Sequence, residues 1–166
     1  VGEPDSPGPV ESNPAIGRET GSRVNGCTTN LGVQPYNGLS PMLTKLLKAK
    51  IHRATVTFTD VNYHGSITID RNLLTATGLL PNEAVLIADC ENGNRFETYI
   101  IPGEPGSGVI AINGAAARLT AVGHKIIIIS FVLATPAEIA THKSRVVIAG
   151  PDNRPVEIIE HGCALE

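Results

Sequence analysis

Cysteine is scarce in this chain of 166 residues: Cys27, Cys90 and Cys163 lie far apart, with no CxxC pair. That excludes a disulfide framework and leaves no zinc-type spacing, so reduced thiols in a cytoplasmic protein are the simpler expectation. The five histidines are equally dispersed, and no short cluster supplies three ligands, so no metal is expected. Long hydrophobic runs are also missing. The longest, Ile126 to Ala134, is about half of the roughly 18 residues a membrane span needs, and reads as a buried strand. No positively charged leader precedes an apolar run, so no secretory signal is expected. The net charge is only −3 and the basic residues are scattered, which argues against nucleic acid and anionic membranes as partners. The common catalytic devices are absent too: there is no GxSxG elbow, HExxH helix, P-loop or GxGxxG turn.

What is present divides the chain in two. Residues 1–41 hold seven Gly and six Pro and show no apolar periodicity. Such a segment cannot bury enough surface to offset its ordering entropy, so it is expected to be a flexible tail or a start-site extension. The folded domain is expected over 42–166, beginning at Met42, the single methionine. From Ile51 onward the pattern is of short strands and turns. Ile51–Thr59 alternates and is β-branched, and Ser66–Ile69 is a second β run. Asp70 is placed to cap a helix over Arg71–Thr77 that ends at Gly78. Strands follow at Ala84–Ala88, Arg95–Ile101, Val109–Ile112 and Lys125–Leu133. Thr135-Pro136 opens a short helix, and strands at Arg145–Ala149 and Pro155–Ile159 close the domain. This predicts a mainly β fold, barrel or sandwich, with short helices.

One short motif carries chemistry: Tyr63-His64-Gly65-Ser66, between two β runs. Gly-Ser also occurs at Gly21-Ser22 and Gly106-Ser107, and the ordinary reading of each is a turn. Gly65-Ser66 differs in its surroundings. Lys50-Ile51-His52-Arg53, Asp60 through Ser66, Asn92 through Tyr99, Gly103 through Gly108, and Asn113-Gly114-Ala115-Ala116-Ala117 form five ordered motifs. With these, the chain from Met42 to about Ile159 resembles the prokaryotic aspartate α-decarboxylases.

The resemblance implies a double-psi β-barrel in a homotetramer, with active sites between subunits. It also implies a proenzyme that cuts itself into 1–65 and 66–166, converting Ser66 into a covalent pyruvoyl group. Ser66 is then nucleophile and cofactor precursor, and Gly65 the residue before the cut. Glycine suits that position by lacking a Cβ that would obstruct attack and by tolerating unusual dihedrals. Thr98 would hydrogen-bond the carbonyl oxygen where negative charge develops. The ketone would accept the amine of L-aspartate and draw off the electrons released with CO2, so neither PLP nor a metal is required. Arg95 offers a planar fork for carboxylate and Lys50 a second positive charge. Tyr99 matches the family's proton donor, Asn113, Gly114, Ala115 and Ala116 its substrate-proximal loop, and Tyr63 would line the pocket. The β-alanine formed would supply pantothenate synthesis.

Taken singly, Lys50 and Arg95 read as strand-edge charges, Tyr99 as an amphipathic residue with its hydroxyl at the rim, and His52 as structural. Three positions depart from the family's habit: His64 replaces Val or Glu, Pro105 a frequent Arg, and Ala88 an aromatic found in some members. The alternatives are a pyruvoyl-dependent decarboxylase of a related amino acid, or a catalytically silent binding barrel. Phosphatidylserine decarboxylases also use Gly-Ser, but with membrane association and a cut near the C-terminus. Whether a maturation factor is required stays open at this point.

Overall fold

The computed structural model describes residues 42–163, and the expectation for residues 1–41 lies outside them. Nine strands make the sheet: β1 (Thr44–Thr55), β2 (Phe58–Asp60), β3 (Ser66–Asp70), β4 (Ala84–Asp89), β5 (Arg95–Gly103), β6 (Ile110–Asn113), β7 (Lys125–Ala134), β8 (Lys143–Ala149) and β9 (Pro155–Gly162). Helices are short: α1 (Arg71–Thr77), α2 (Pro136–Ile139) and a 3-10 turn over Gly114–Arg118. The strand order is β2-β6-β3-β5-β4-β7-β1-β8-β9. β1 runs parallel to β8, β2 to β6 and β3 to β5, and the remaining pairs are antiparallel. The fold is the double-psi β-barrel expected of the family resemblance.

Isoleucine fills the interior. Ile51, Ile67, Ile87, Ile100, Ile112 and Ile128 expose no surface, each removing enough apolar area to contribute about 1.5–3 kcal/mol. In β7 the run Ile126-Ile127-Ile128-Ile129 alternates buried and half-buried, so one face of this central strand meets the core. α1 packs against β1, β3, β5, β8 and β9. Its ends are as the residues predict: Asp70 accepts the Asn72 N–H, and Gly78 closes the helix at φ 73°. α2 has a full capping box between Thr135 and Glu138.

Ile51–Thr59, read as one strand, is two. β1 begins earlier, at Thr44, and ends at Thr55. The chain then changes partners: Val56 N–H donates to the His124 carbonyl and Thr57 N–H to that of Ile110. β2 continues beside β6, while β1 lies between β7 and β8. A bulge between Ile51 and Ala54, with Arg53 at φ 60°, bends β1 just before the switch.

Candidate active site

β3 begins at Ser66 and runs antiparallel to the end of β6, which sets Ser66 directly opposite Asn113. Side chains on a strand alternate, so Ser66 and Thr68 share a face, with Asn113 across from one and diagonal to the other. The contacts follow. Asn113 Nδ2 donates to Ser66 Oγ at 2.9 Å and to Thr68 Oγ1 at 3.2 Å. Ser66 is 0% exposed and Asn113 5%, so water does not compete for this hydroxyl. Thr68 was not singled out in the sequence, although its alternation with Ser66 was a usable signal.

The residues before Ser66 stand in the open. Tyr63, His64 and Gly65 are exposed, with the Tyr63 and His64 rings edge to face at 5.7 Å. Beneath them lies Gly114, at φ 72°; a Cβ built there would come within 2.7 Å of Gly65 Cα and 2.9 Å of Gly65 N. Gly65 itself is outside the left-handed region, and a Cβ on it would meet nothing within 4 Å beyond its chain neighbours. The need for glycine that the sequence assigned to position 65 on conformational grounds is therefore found at 114. Ala115 and Ala116 follow in the 3-10 turn, exposed and half-buried respectively.

β5 lies on the other side of β3, in parallel, with Ile67 opposite Ile100; one step back in register, Tyr99 flanks Ser66. Along β5, Arg95, Glu97 and Tyr99 are exposed while Phe96 and Thr98 are half-buried. Tyr99 and Thr98 consequently face opposite sides of the strand. Glu97, unremarked in the sequence reading, stands on the Arg95–Tyr99 face. Ala88 on β4 is directly opposite Arg95, so the cross-strand neighbour of Arg95 carries only a methyl group. Pro105 precedes Gly106 (φ 74°) in a turn closed by the Ser107 N–H to the Glu104 carbonyl. Proline at this position presets such a turn.

Lys50 is not brought to Ser66 by the strand order. It lies on β1, four places from β3 in the strand order. Among the described residues neither Lys50 nor Arg95 joins an ion pair. Lys48, by contrast, is engaged: its Nζ lies 2.6 Å from Glu83, which also accepts from the Ser130 hydroxyl. Burial pushes the Glu83 carboxyl up, but Lys48, Ser130 and the Leu80 N–H outweigh it and hold the group below its ordinary range. Asp70, at the far end of β3, behaves likewise. Burial opposes its charge, yet the N–H groups of Asn72, Gly108 and Gly106, with the Arg154 charge, keep it below the usual carboxylate value.

The sequence model of the family described as aspartate decarboxylase matches residues 42–156. An aspartate 1-decarboxylase of Caldicellulosiruptor saccharolyticus is 52% identical over 117 residues, 70% of this chain and 91% of that protein. One of Clostridium botulinum is 52% identical over 120 residues, 72% of this chain and 97% of the other. One of Neisseria meningitidis is 51% identical over 120 residues, 72% and 94% of the respective lengths. With the five motifs, the barrel and these matches spanning the same residues, the chain belongs to the aspartate decarboxylase family.

Proposed function

We propose that this chain cleaves itself between Gly65 and Ser66 and, as a pyruvoyl-dependent aspartate 1-decarboxylase, converts L-aspartate to β-alanine and CO2. The observation that carries the reading is a buried serine hydroxyl, held by Asn113, at the first residue after an exposed loop. Ser66 Oγ adds to the Gly65 carbonyl carbon, the C–N bond breaks, and the proton passes to the departing amine, leaving an ester. Loss of the Ser66 α-proton then expels Gly65 as a carboxylate carrying Oγ. Water replaces the nitrogen, and ammonia leaves. Thr98 is assigned the carbonyl oxygen during the first step, from the resemblance.

The site suits a group made from Ser66 itself, since position 66 is enclosed and no lysine or metal ligand is required there. The ketone supplies an electron sink for the decarboxylation. Arg95 binds one substrate carboxylate through its fork, and Lys50 neutralises the second. Tyr99 delivers a proton to the carbon from which CO2 departs. Asn113, Gly114, Ala115 and Ala116 border the substrate, and Tyr63 lines its pocket. The complete site is formed between subunits of a homotetramer, a reading that rests on the family resemblance. The exposed Phe58, Val61, Tyr63 and Tyr99 are apolar surface suited to such an interface.

The free, exposed Cys90 and Cys163 suit a reducing cytoplasm, where the β-alanine feeds pantothenate synthesis. Residues 1–41 serve as an extension that neither cleavage nor assembly needs. A second reading, decarboxylation of a related amino acid, draws on the small Ala88 side chain opposite Arg95.

Denaturing mass spectrometry of the purified chain tests the proposal. Fragments 1–65 and 66–166 are expected, the larger lighter than a serine-initiated fragment by the mass of one ammonia. Ser66→Ala is expected to stay whole. A parent chain that remains intact after prolonged warming refutes self-sufficient cleavage.

A further inference from the structure

We infer that Gly114 is a positioning residue for self-cleavage: its bare α-carbon is the surface on which the Tyr63–Gly65 backbone is held against Ser66. The inference rests on cleavage at Gly65–Ser66 and adds a role to a residue otherwise assigned to the substrate loop.

Gly114 is at φ 72°, where β6 turns into the 3-10 turn. A Cβ there would stand 2.7 Å from Gly65 Cα, 2.9 Å from Gly65 N and 3.2 Å from the Tyr63 carbonyl oxygen. All three are backbone atoms, so none can rotate away as a flexible side chain would. The residue on the other side of the contact carries no such demand, because a Cβ on Gly65 has open space. The close fit is set from position 114.

Its neighbour completes the arrangement. Asn113 Nδ2 holds Ser66 Oγ, with Thr68 Oγ1 bracing the same amide. Two consecutive residues therefore fix the two reactants, Asn113 the nucleophile and Gly114 the peptide that it attacks. Oγ must approach the Gly65 carbonyl carbon to roughly 3–3.5 Å for the bond to form. A methyl group at 114 displaces Gly65 while burial and Asn113 keep Ser66 in place. A misplacement of about 1 Å costs on the order of 10²-fold in rate, so a shift of some tenths of an ångström is expected to slow cleavage about tenfold or more.

The test follows fragment release from the full-length chain over time by mass spectrometry. Gly114→Ala introduces both a strained dihedral and the collision. Gly114→Asn keeps the collision with a residue that tolerates the left-handed region. Gly123→Ala is the control, since Gly123 has φ 91° and nothing within 4 Å of its Cβ position. Both Gly114 variants are expected to cleave about tenfold more slowly or worse, with Asn no better than Ala, and Gly123→Ala to match the parent. Hydroxylamine, which cleaves esters, is expected to hasten scission of the parent much more than that of the Gly114 variants, in which ester formation is the slowed step. Melting in a Ser66→Ala background is expected to leave the Gly114 variants folded. Cleavage of Gly114→Ala and Gly114→Asn at the parent's rate overturns the inference, and so does failure of both to fold, which makes Gly114 merely structural. A parent that does not cleave refutes the proposed function instead.

Discussion

Asp70 ties three segments together, and removing its carboxylate measures what that tie contributes. Oδ1 accepts the Asn72 N–H at 2.8 Å, capping α1, and the Gly106 N–H at 3.0 Å; Oδ2 accepts the Gly108 N–H at 2.6 Å. The side chain is 2% exposed, so water replaces little of this. Losing an N-cap costs about 1 kcal/mol, and each hydrogen bond to a charged group about 1.5 kcal/mol or more. Asp70→Ala is therefore expected to cost about 4 kcal/mol, or roughly 15 °C in Tm for a domain of this size. Asp70→Asn keeps an acceptor for Asn72 and Gly106 but sets an amide against Gly108, for about 2 kcal/mol. Urea and thermal melts in the uncleavable Ser66→Ala background give both values. The same melts carry a pH signature. Asp70 and Glu83 are held below their ordinary values, so the stability they contribute is complete above the unfolded carboxylate range, about pH 4. It is lost as pH falls through the lower folded values. The gap between parent and Asp70→Ala is expected to narrow on acidification. An Asp70→Asn chain that melts like the parent, or a gap that widens in acid, refutes the reasoning.

Two further outcomes test the functional assignments. Arg95→Lys keeps the charge but loses the fork. Losing one of the two charge-assisted hydrogen bonds of the fork costs about 1.5–3 kcal/mol, so kcat/KM for aspartate, normalised to cleaved chain, is expected to fall about tenfold or more; an unchanged value removes Arg95 from the site. Tyr99→Phe is expected to lower kcat by about 10²–10⁴ with KM nearly constant, and a raised KM with normal kcat contradicts a proton donor. Deletion of residues 1–41 is expected to leave the proposed tetramer and cleavage as they are in the full chain by light scattering and mass spectrometry, and dissociation on deletion overturns the reading of that segment.

Helix α1 was legible because both of its ends carry their own local chemistry, a capping aspartate and a left-handed glycine. The start of β1 was not. Leu46, Leu47, Lys48 and Ala49 are good helix formers, and only pairing with β7 and β8, distant in sequence, makes them a strand. The division between β1 and β2 was hidden for a related reason: β-branched alternation persists through Val56 and Thr57 while their hydrogen-bond partners change. In the site, motif resemblance pointed to Ser66, Arg95, Tyr99 and Asn113 together. It could not reveal that Thr98 and Tyr99 face opposite sides of β5, or that four places in the strand order separate Lys50 from Ser66. The demand on Gly114 arises from a loop that reaches it only through the fold, so no local pattern records it.

The placement of β1 bears on the order of events in the life of the molecule. This strand is enclosed by β7 and β8, both of which lie beyond the proposed cleavage point, and β2 pairs with β6 on the same far side. The shorter piece would hold neither partner of β1 nor that of β2, and the longer would lack β1, the strand that joins β7 to β8, so neither could reproduce the barrel alone. If the chain cuts itself as proposed, folding must come first, and a chain cut too early would be lost. A chain so cut would be held together by the pairing of β1 and β2 with later strands, without a covalent link. Unfolding would then separate the two pieces, and return would become a bimolecular encounter that dilution opposes. For a protein processed in this way, durability would be governed by how slowly it opens rather than by how readily it refolds.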